Sequence, residues 1–196
     1  MPRTGLTSKE IREKAIEFAQ ARLREFGFEK LRLTDVANDI DVSHVALYRH
    51  FKDKSDLLEA VTERWLTDMD TALEAVCVGN GTPLQRIKKW YELLYLYKMQ
   101  TVKNDPELFK AYDWNSETKK PSVQRHLHNC DAQITDLLRE AYESKLLKKG
   151  TPEKAKAILN EAMIGFYIPR MLVMRLNENR SEMLKNTIET LIRGLK

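Results

Sequence analysis

The residues with most to offer a partner lie in one run at 34–58, TDVANDIDVSHVALYRHFKDKSDLL. Val36, Ala37 and Ile40 can form the inner face of a short helix over 35–40, with Thr34 as its cap. Leu47 and Phe51, four residues apart, can anchor a second helix over 44–50, capped by Ser43. Only Asp41, Val42 and Ser43 separate the two, and helices joined by so short a turn must cross steeply, as in a helix-turn-helix. The anchors leave His44, Val45, Ala46, Tyr48 and Arg49 at or near the free surface of the second helix. The N-terminal residues of such a helix are the ones that enter a major groove. His44 can hydrogen-bond a base edge, and Val45 and Ala46 offer small apolar surfaces suited to a thymine methyl. Tyr48, His50, Lys52 and Lys54 gather at the far end, where they can hold phosphates and fix register without reading sequence.

Two other groups of residues could do chemistry. Aromatics are dense in and after 90–114: Trp90, Tyr91, Tyr95, Tyr97, Phe109, Tyr112 and Trp114. All of these but Tyr97, with His126, Met163, Phe166 and Tyr167, are candidates to line a pocket for a small apolar or aromatic effector, although stripes of this kind also build ordinary cores. His126 and Cys130 stand one helical turn apart and share a face, whereas His128 points elsewhere. With no further Cys/His pair nearby, no metal site is expected, and His126 reads as a pocket or core histidine. There is no Gly-rich phosphate loop, nucleophile motif or paired metal-ligand spacing, so neither an enzyme nor a cofactor is expected.

Bulk charge adds little. The 196-residue chain carries a net +4, and residues 1–56 hold 11 Lys+Arg against 10 Asp+Glu, so a nucleic-acid reading rests on where the charges sit. Cys77 and Cys130 read as reduced thiols of a cytoplasmic protein with no secretory signal. The best apolar run, 162–169, is stopped by Arg170, well short of the ~20 residues a membrane span needs.

The elements that must position these residues are helical nearly throughout. Ile11, Ala15, Phe18, Ala19, Leu23 and Phe26 stripe a first helix over 8–26, with Ser8 as its cap and Gly27 at its end. A long helix over 54–78 starts at Asp53 with Asp56 answering it, and Gly79-Asn80-Gly81 ends it. Thr82-Pro83 opens a helix to about Lys103, and Asp105-Pro106 opens a shorter one to about Trp114. Pro121 begins another, to about Lys148. A helix over 152–176 should kink where Pro169 leaves the Gly165 carbonyl without its N–H, and Ser181 caps the last. The chain reads as all-α with about nine helices. A domain over 1–53 carries the helix-turn-helix, and a second over 54–196 is joined to it by the helix over 54–78.

The run from Ser8 to Leu58 resembles the DNA-binding domain of the TetR family of bacterial regulators. The likeness rests on Thr34 with Ala37, Val42-Ser43, Leu47-Tyr48-x-His50-Phe51-x-x-Lys54, and Leu57-Leu58. By that resemblance Thr34, Tyr48, His50 and Lys54 contact the DNA backbone, and Ser43, His44, Val45 and Ala46 face bases. Asp41 stands where the family usually has Gly in a left-handed conformation, which Asp tolerates better than most residues, so a positive φ is expected there. The resemblance also implies a homodimer formed through the last two long helices. Ile158, Leu159, Ala162 and Leu172, with Leu184, Ile188, Leu191 and Leu195, form stripes suited to that interface or to closing a monomer's own core. The function implied is a regulator of a palindromic operator in double-stranded DNA, released as a repressor by a small-molecule effector. A helical adaptor acting through protein contacts is the alternative.

Overall fold

The computed structural model of the protein describes residues 5–196; residues 1–4 of the expected first domain lie outside the described residues. Ten α-helices and two short 3-10 turns follow one another, with no strand among the described residues. The helices are α1 (Ser8–Phe26), α2 (Leu33–Asp39), α3 (His44–Tyr48), α4 (Lys54–Cys77), α5 (Pro83–Asn104), α6 (Pro106–Glu117), α7 (Pro121–Glu143), α8 (Pro152–Met163), α9 (Pro169–Met174) and α10 (Ser181–Leu195). None is long and apolar enough to cross a membrane.

The chain divides into two compact units, and not at Asp53. The first runs to Leu66 and takes back Asp105–Gln124; the second holds Thr67–Asn104 and Arg125–Lys196. The first unit is therefore a helix-turn-helix with α6 and the first half of α4 added. Its core is built on Ala15, Ala19 and Leu23 of α1, Val36 and Ala37 of α2, Leu47 of α3, and Leu57, Leu58 and Val61 of α4, all buried. α6 is bound into this unit by polar ties. Glu107 accepts the Phe28 N–H at 2.7 Å, and Arg24 pairs with Asp105 at 2.7 Å. Buried Asn115 donates to the Leu58 carbonyl and to Thr62 Oγ1. Gly27, at φ 87°, lets α1 end and turns the Phe28 N–H toward Glu107.

The helix starts differ from the sequence reading by a residue or more at three places. Thr7, not Ser8, caps α1, in a reciprocal capping box with Glu10. α2 begins at Leu33 with Arg32 as its cap and no side-chain bond, so Thr34 lies within its first turn. α10 likewise starts from Arg180, with Ser181 already helical. Ser43 and Asp53 do cap α3 and α4, accepting from the Ala46 and Asp56 N–H groups at 3.1 and 2.9 Å.

In the second unit the long helix expected over 152–176 is broken rather than kinked. α8 ends at Met163, a 3-10 turn carries Ile164–Phe166, and Pro169 begins α9 as a new first-turn residue. Arg180 fills the gap: its guanidinium donates to the Gly165 carbonyl at 2.7 Å and lies 4.2 Å from the Phe166 ring centroid. α10 packs against α8 and α5. Its Leu184, Ile188, Ile192 and Leu195 are buried in that contact.

Candidate nucleic-acid interface and the cavity of the second unit

The turn before α3 is set by Asp41, whose φ is 54°. There its N–H donates to the Asn38 carbonyl, and the following Val42 N–H to that of Ala37, which closes α2 and buries Val42. Leu47 and Phe51 are buried below α3. On the opposite face His44, Val45, Tyr48 and Arg49 are exposed, Val45 by 66%. Ala46 and His50 are half-buried beside them, and Lys52 is exposed. This face has a basic and aromatic rim around a small apolar centre, which suits a phosphate-flanked groove.

Two residues given backbone roles by resemblance sit differently. Thr34 is half-buried, with its hydroxyl 3.4 Å from Asp35 Oδ1. Lys54 directs its ammonium to the Phe28 and Glu29 carbonyls at 2.7 and 3.1 Å and lies 4.9 Å from the Phe28 ring centroid. It therefore ties α4 to the turn after α1, whatever it does at a DNA surface.

The ten candidate pocket residues do not form one group. Phe109 and Tyr112 are buried in the first unit, where Tyr112 packs edge-on to Trp65 at 5.0 Å, and Trp114 lies against Phe28 there. Tyr95, Met163 and Phe166 are core residues of the second unit, the first and last in edge contact at 6.1 Å. Trp90, Tyr91, His126 and Tyr167 line a cavity of about 120 Å³ between α5, α7 and α8. Leu94, Lys98, Leu127, Cys130, Asp131, Ile134 and Asn160 complete its walls.

Each polar wall of the cavity is held by a specific partner. Tyr91 donates to Asn160 Oδ1 at 3.3 Å, and Tyr167 to the Asn160 carbonyl at 2.9 Å. Burial pushes both phenols up, Tyr167 to about 12, so they stay protonated. Trp90 Nε1 donates to Gln133 at 2.7 Å. His126 Nδ1 is 2.5 Å from Asp70 Oδ1, and Asn129 donates to the other Asp70 oxygen at 2.8 Å. Burial lowers the His126 imidazolium's pKa, the Asp70 hydrogen bond opposes this, and the charge of Lys98 lowers it further. Lys98 is buried with its ammonium 3.4 Å from the Tyr167 carbonyl.

Asp70, His126 and Cys130 also bring three potential metal-binding atoms within 4.8 Å. Three features work against a metal there. Asp70 already holds Nδ1, the adjacent Lys98 is a cation, and burial pushes the Cys130 thiol up to about 12, far from the thiolate a metal needs. Neither Cys77 nor Cys130 forms a disulfide.

The candidate dimer residues divide by burial. Leu159, Leu172, Leu184, Ile188 and Leu195 are buried within their own unit and have no surface left for a partner. Ile158 and Ala162 are exposed and Leu191 half-buried, and Ile164, Val173, Met174 and Met183 are further exposed apolar residues of the same helices and the turn between them.

Residues 83–188 match the family described as Tetracyclin repressor-like, C-terminal domain, and residues 16–61 the one described as Bacterial regulatory proteins, tetR family. An HTH-type transcriptional regulator of Staphylococcus aureus (strain USA300) is 39% identical over 57 residues, which is 29% of this chain. The match spans 31% of that curated relative's length. Among solved structures, a TetR/AcrR-family transcriptional regulator from Thermobifida fusca YX-ER1 superposes with a TM-score of 0.68 at 22% identity, over 94% of this chain and 98% of that one. The fatty acid degradation regulator FadR from Bacillus halodurans gives 0.66 at 14%, over 94% and 96%. RolR in complex with resorcinol gives 0.64 at 15%, over 96% and 88%. At these identities the structural likeness is one of fold.

Proposed function

Because this chain belongs to the TetR family, and so is a transcriptional regulator with a helix-turn-helix DNA-binding domain, we propose that it is a repressor released from a palindromic operator by a small-molecule effector. The observation that carries this reading is the division of α3. Leu47 and Phe51 are buried, while His44, Val45 and Tyr48 are left to solvent. Every surface helix leaves one face to solvent, but this one places Val45 and Tyr48 there beside His44 and Arg49, the mix of apolar and basic groups that a DNA groove takes. His44, Val45 and Ala46, with Ser43, read bases, and Tyr48, His50 and Lys52 hold phosphates.

A palindrome requires a two-fold protein. The exposed faces of α8 and α10, with Ile158, Ala162, Met183 and Leu191, are the surfaces we assign to the partner. The effector site is the cavity beside Trp90, Tyr91, His126 and Tyr167. Its ring-sized volume and aromatic walls support a small aromatic guest, and RolR, which shares the fold, carries the single-ring compound resorcinol. Release requires only that the effector bind the DNA-free form more tightly than the DNA-bound one. A protein of this kind works in the cytoplasm, where the DNA is, and no catalytic step is assigned to it.

Mobility shifts on genomic fragments test this reading. A repressor of this type binds few fragments, at two chains per site, with an affinity that falls steeply with salt. Equal binding to all fragments, or none at low salt, contradicts it.

A further inference from the structure

We infer that the cavity of the second unit takes a single-ring phenol, with its hydroxyl held between Lys98 and His126. The inference rests on the reading of this cavity as the effector site. The volume of about 120 Å³ sets the size. An apolar cavity of ~150 Å³ holds benzene, so one of about 120 Å³ limits the guest to a single six-membered ring and excludes a fused pair. Trp90, Tyr91 and Tyr167 supply aromatic walls against which such a ring can stack or present its edge.

The hydrogen-bonding groups set the chemistry. Asp70 accepts from His126 Nδ1, so in the neutral ring the proton is on Nδ1 and Nε2 is an acceptor. Asp70 is itself fixed by Asn129, which keeps the ring in this tautomer. Cys130 Sγ is 3.7 Å from both ring nitrogens, a long contact from a weak S–H donor that a hydroxyl can replace at Nε2. Lys98, in the same wall, carries three N–H donors and can accept from nothing. An atom placed between them must accept from Lys98 and donate to His126, and a hydroxyl oxygen does both. A carboxylate cannot donate, an ammonium cannot accept, and an ether can only accept.

Charge points the same way. Lys98 and Asp70 act with opposite sign on His126, and Asp131 at the cavity is paired with Lys156 at 2.9 Å. A neutral guest preserves that balance, whereas a carboxylate would bring an unmatched charge out of water. Nearby Lys98 also favours a hydroxyl with some acidity, as a phenol has and an alcohol lacks.

Titration calorimetry of the full chain with phenol, anisole and benzoate separates these cases, because the three share one ring and differ in the oxygen group. Phenol is expected to bind saturably, one per chain, and at least about tenfold more tightly than either of the others. Lys98→Met should weaken phenol and anisole alike, since both accept from Lys98, and leave phenol ahead of anisole through its donation to His126; phenol binding unchanged by this variant overturns the placement beside Lys98. The ligand series on the natural chain stands alone if the variant does not fold. Benzoate or anisole binding as tightly as phenol overturns the inference, as does absence of saturable phenol binding at millimolar concentration. DNA binding of the same preparation is measured in parallel. A chain that shifts DNA and ignores phenol defeats this inference only. A chain that binds phenol and shifts no DNA defeats the regulator reading instead.

Discussion

His44 and Val45 sit on a helix whose stability they barely affect, since Val45 is two-thirds exposed and His44 is exposed beside it. Any effect of changing them should therefore appear in DNA preference. His44→Ala and Val45→Ala should each alter discrimination at one operator position by ~1–3 kcal/mol and leave the melting temperature in place. Competition with single-base operator variants checks this, and a uniform loss across all sequences would make these residues backbone contacts. His126 is the opposite kind of residue, buried and committed. Burial holds its pKa below the 6.5 of an ordinary imidazole. The unfolded chain thus takes up a proton near pH 6.5 that the folded chain refuses. The stability linked to this group is complete above that pH and is lost as the pH falls toward the lower folded value. Urea unfolding at about pH 7.5 and about pH 5.5 should show a larger loss for the natural chain than for His126→Gln. Equal losses would mean that His126 is protonated in the folded state.

The turn between α2 and α3 depends on one residue in a left-handed conformation, Asp41. Asp41→Gly relieves a backbone cost of ~1–2 kcal/mol and adds ~0.4–1 kcal/mol of unfolded-state entropy, so a gain of about 0.5–1 kcal/mol is expected. Asp41→Val, β-branched at positive φ, should lose about 1–2 kcal/mol. Thermal unfolding of the three proteins decides the order, and a neutral Val would show that the turn tolerates another geometry. This turn was legible in the sequence because short helices, a capping Ser43 and the Leu47–Phe51 pair leave the chain little choice. Other elements were less legible, for identifiable reasons. Thr34 looks like a cap, yet the helix gains a turn's start by burying Leu33. Pro169 was visible as a breaker, but not the Arg180 side chain that serves the Gly165 carbonyl and lets the helix stop altogether. The aromatics of 90–114 read as one group, although the Asp105-Pro106 start of α6 sends Phe109, Tyr112 and Trp114 to a different unit from Trp90 and Tyr91. Lys98 does not stand out in the sequence, because a lysine usually marks a solvated face. Its spacing of seven from Tyr91 and four from Leu94 was the signal that it lies on the buried stripe.

For the molecule as a whole, binding a palindrome needs a dimer made from what the second unit leaves uncovered. α10 spends its Leu184–Ile188–Ile192–Leu195 stripe on α8 and α5, so the partner must use the other side. Ile158→Asp and Met183→Asp place charges on surfaces that are 47% and 56% exposed in the single chain. Each should leave the fold intact and weaken self-association by at least about tenfold, because an unpaired charge would be buried at the contact. Sedimentation equilibrium reads this directly, and an unchanged dimer would move the interface to other surfaces. The central claim, that α3 of a two-fold protein reads DNA sequence, is tested most directly by selecting bound DNA from a random pool with the natural chain and with His44→Ala. The expected result is an enriched inverted repeat for the natural chain and, for the variant, the same repeat with altered preference at one symmetric pair of positions. No enriched repeat, or identical repeats from both proteins, would contradict it.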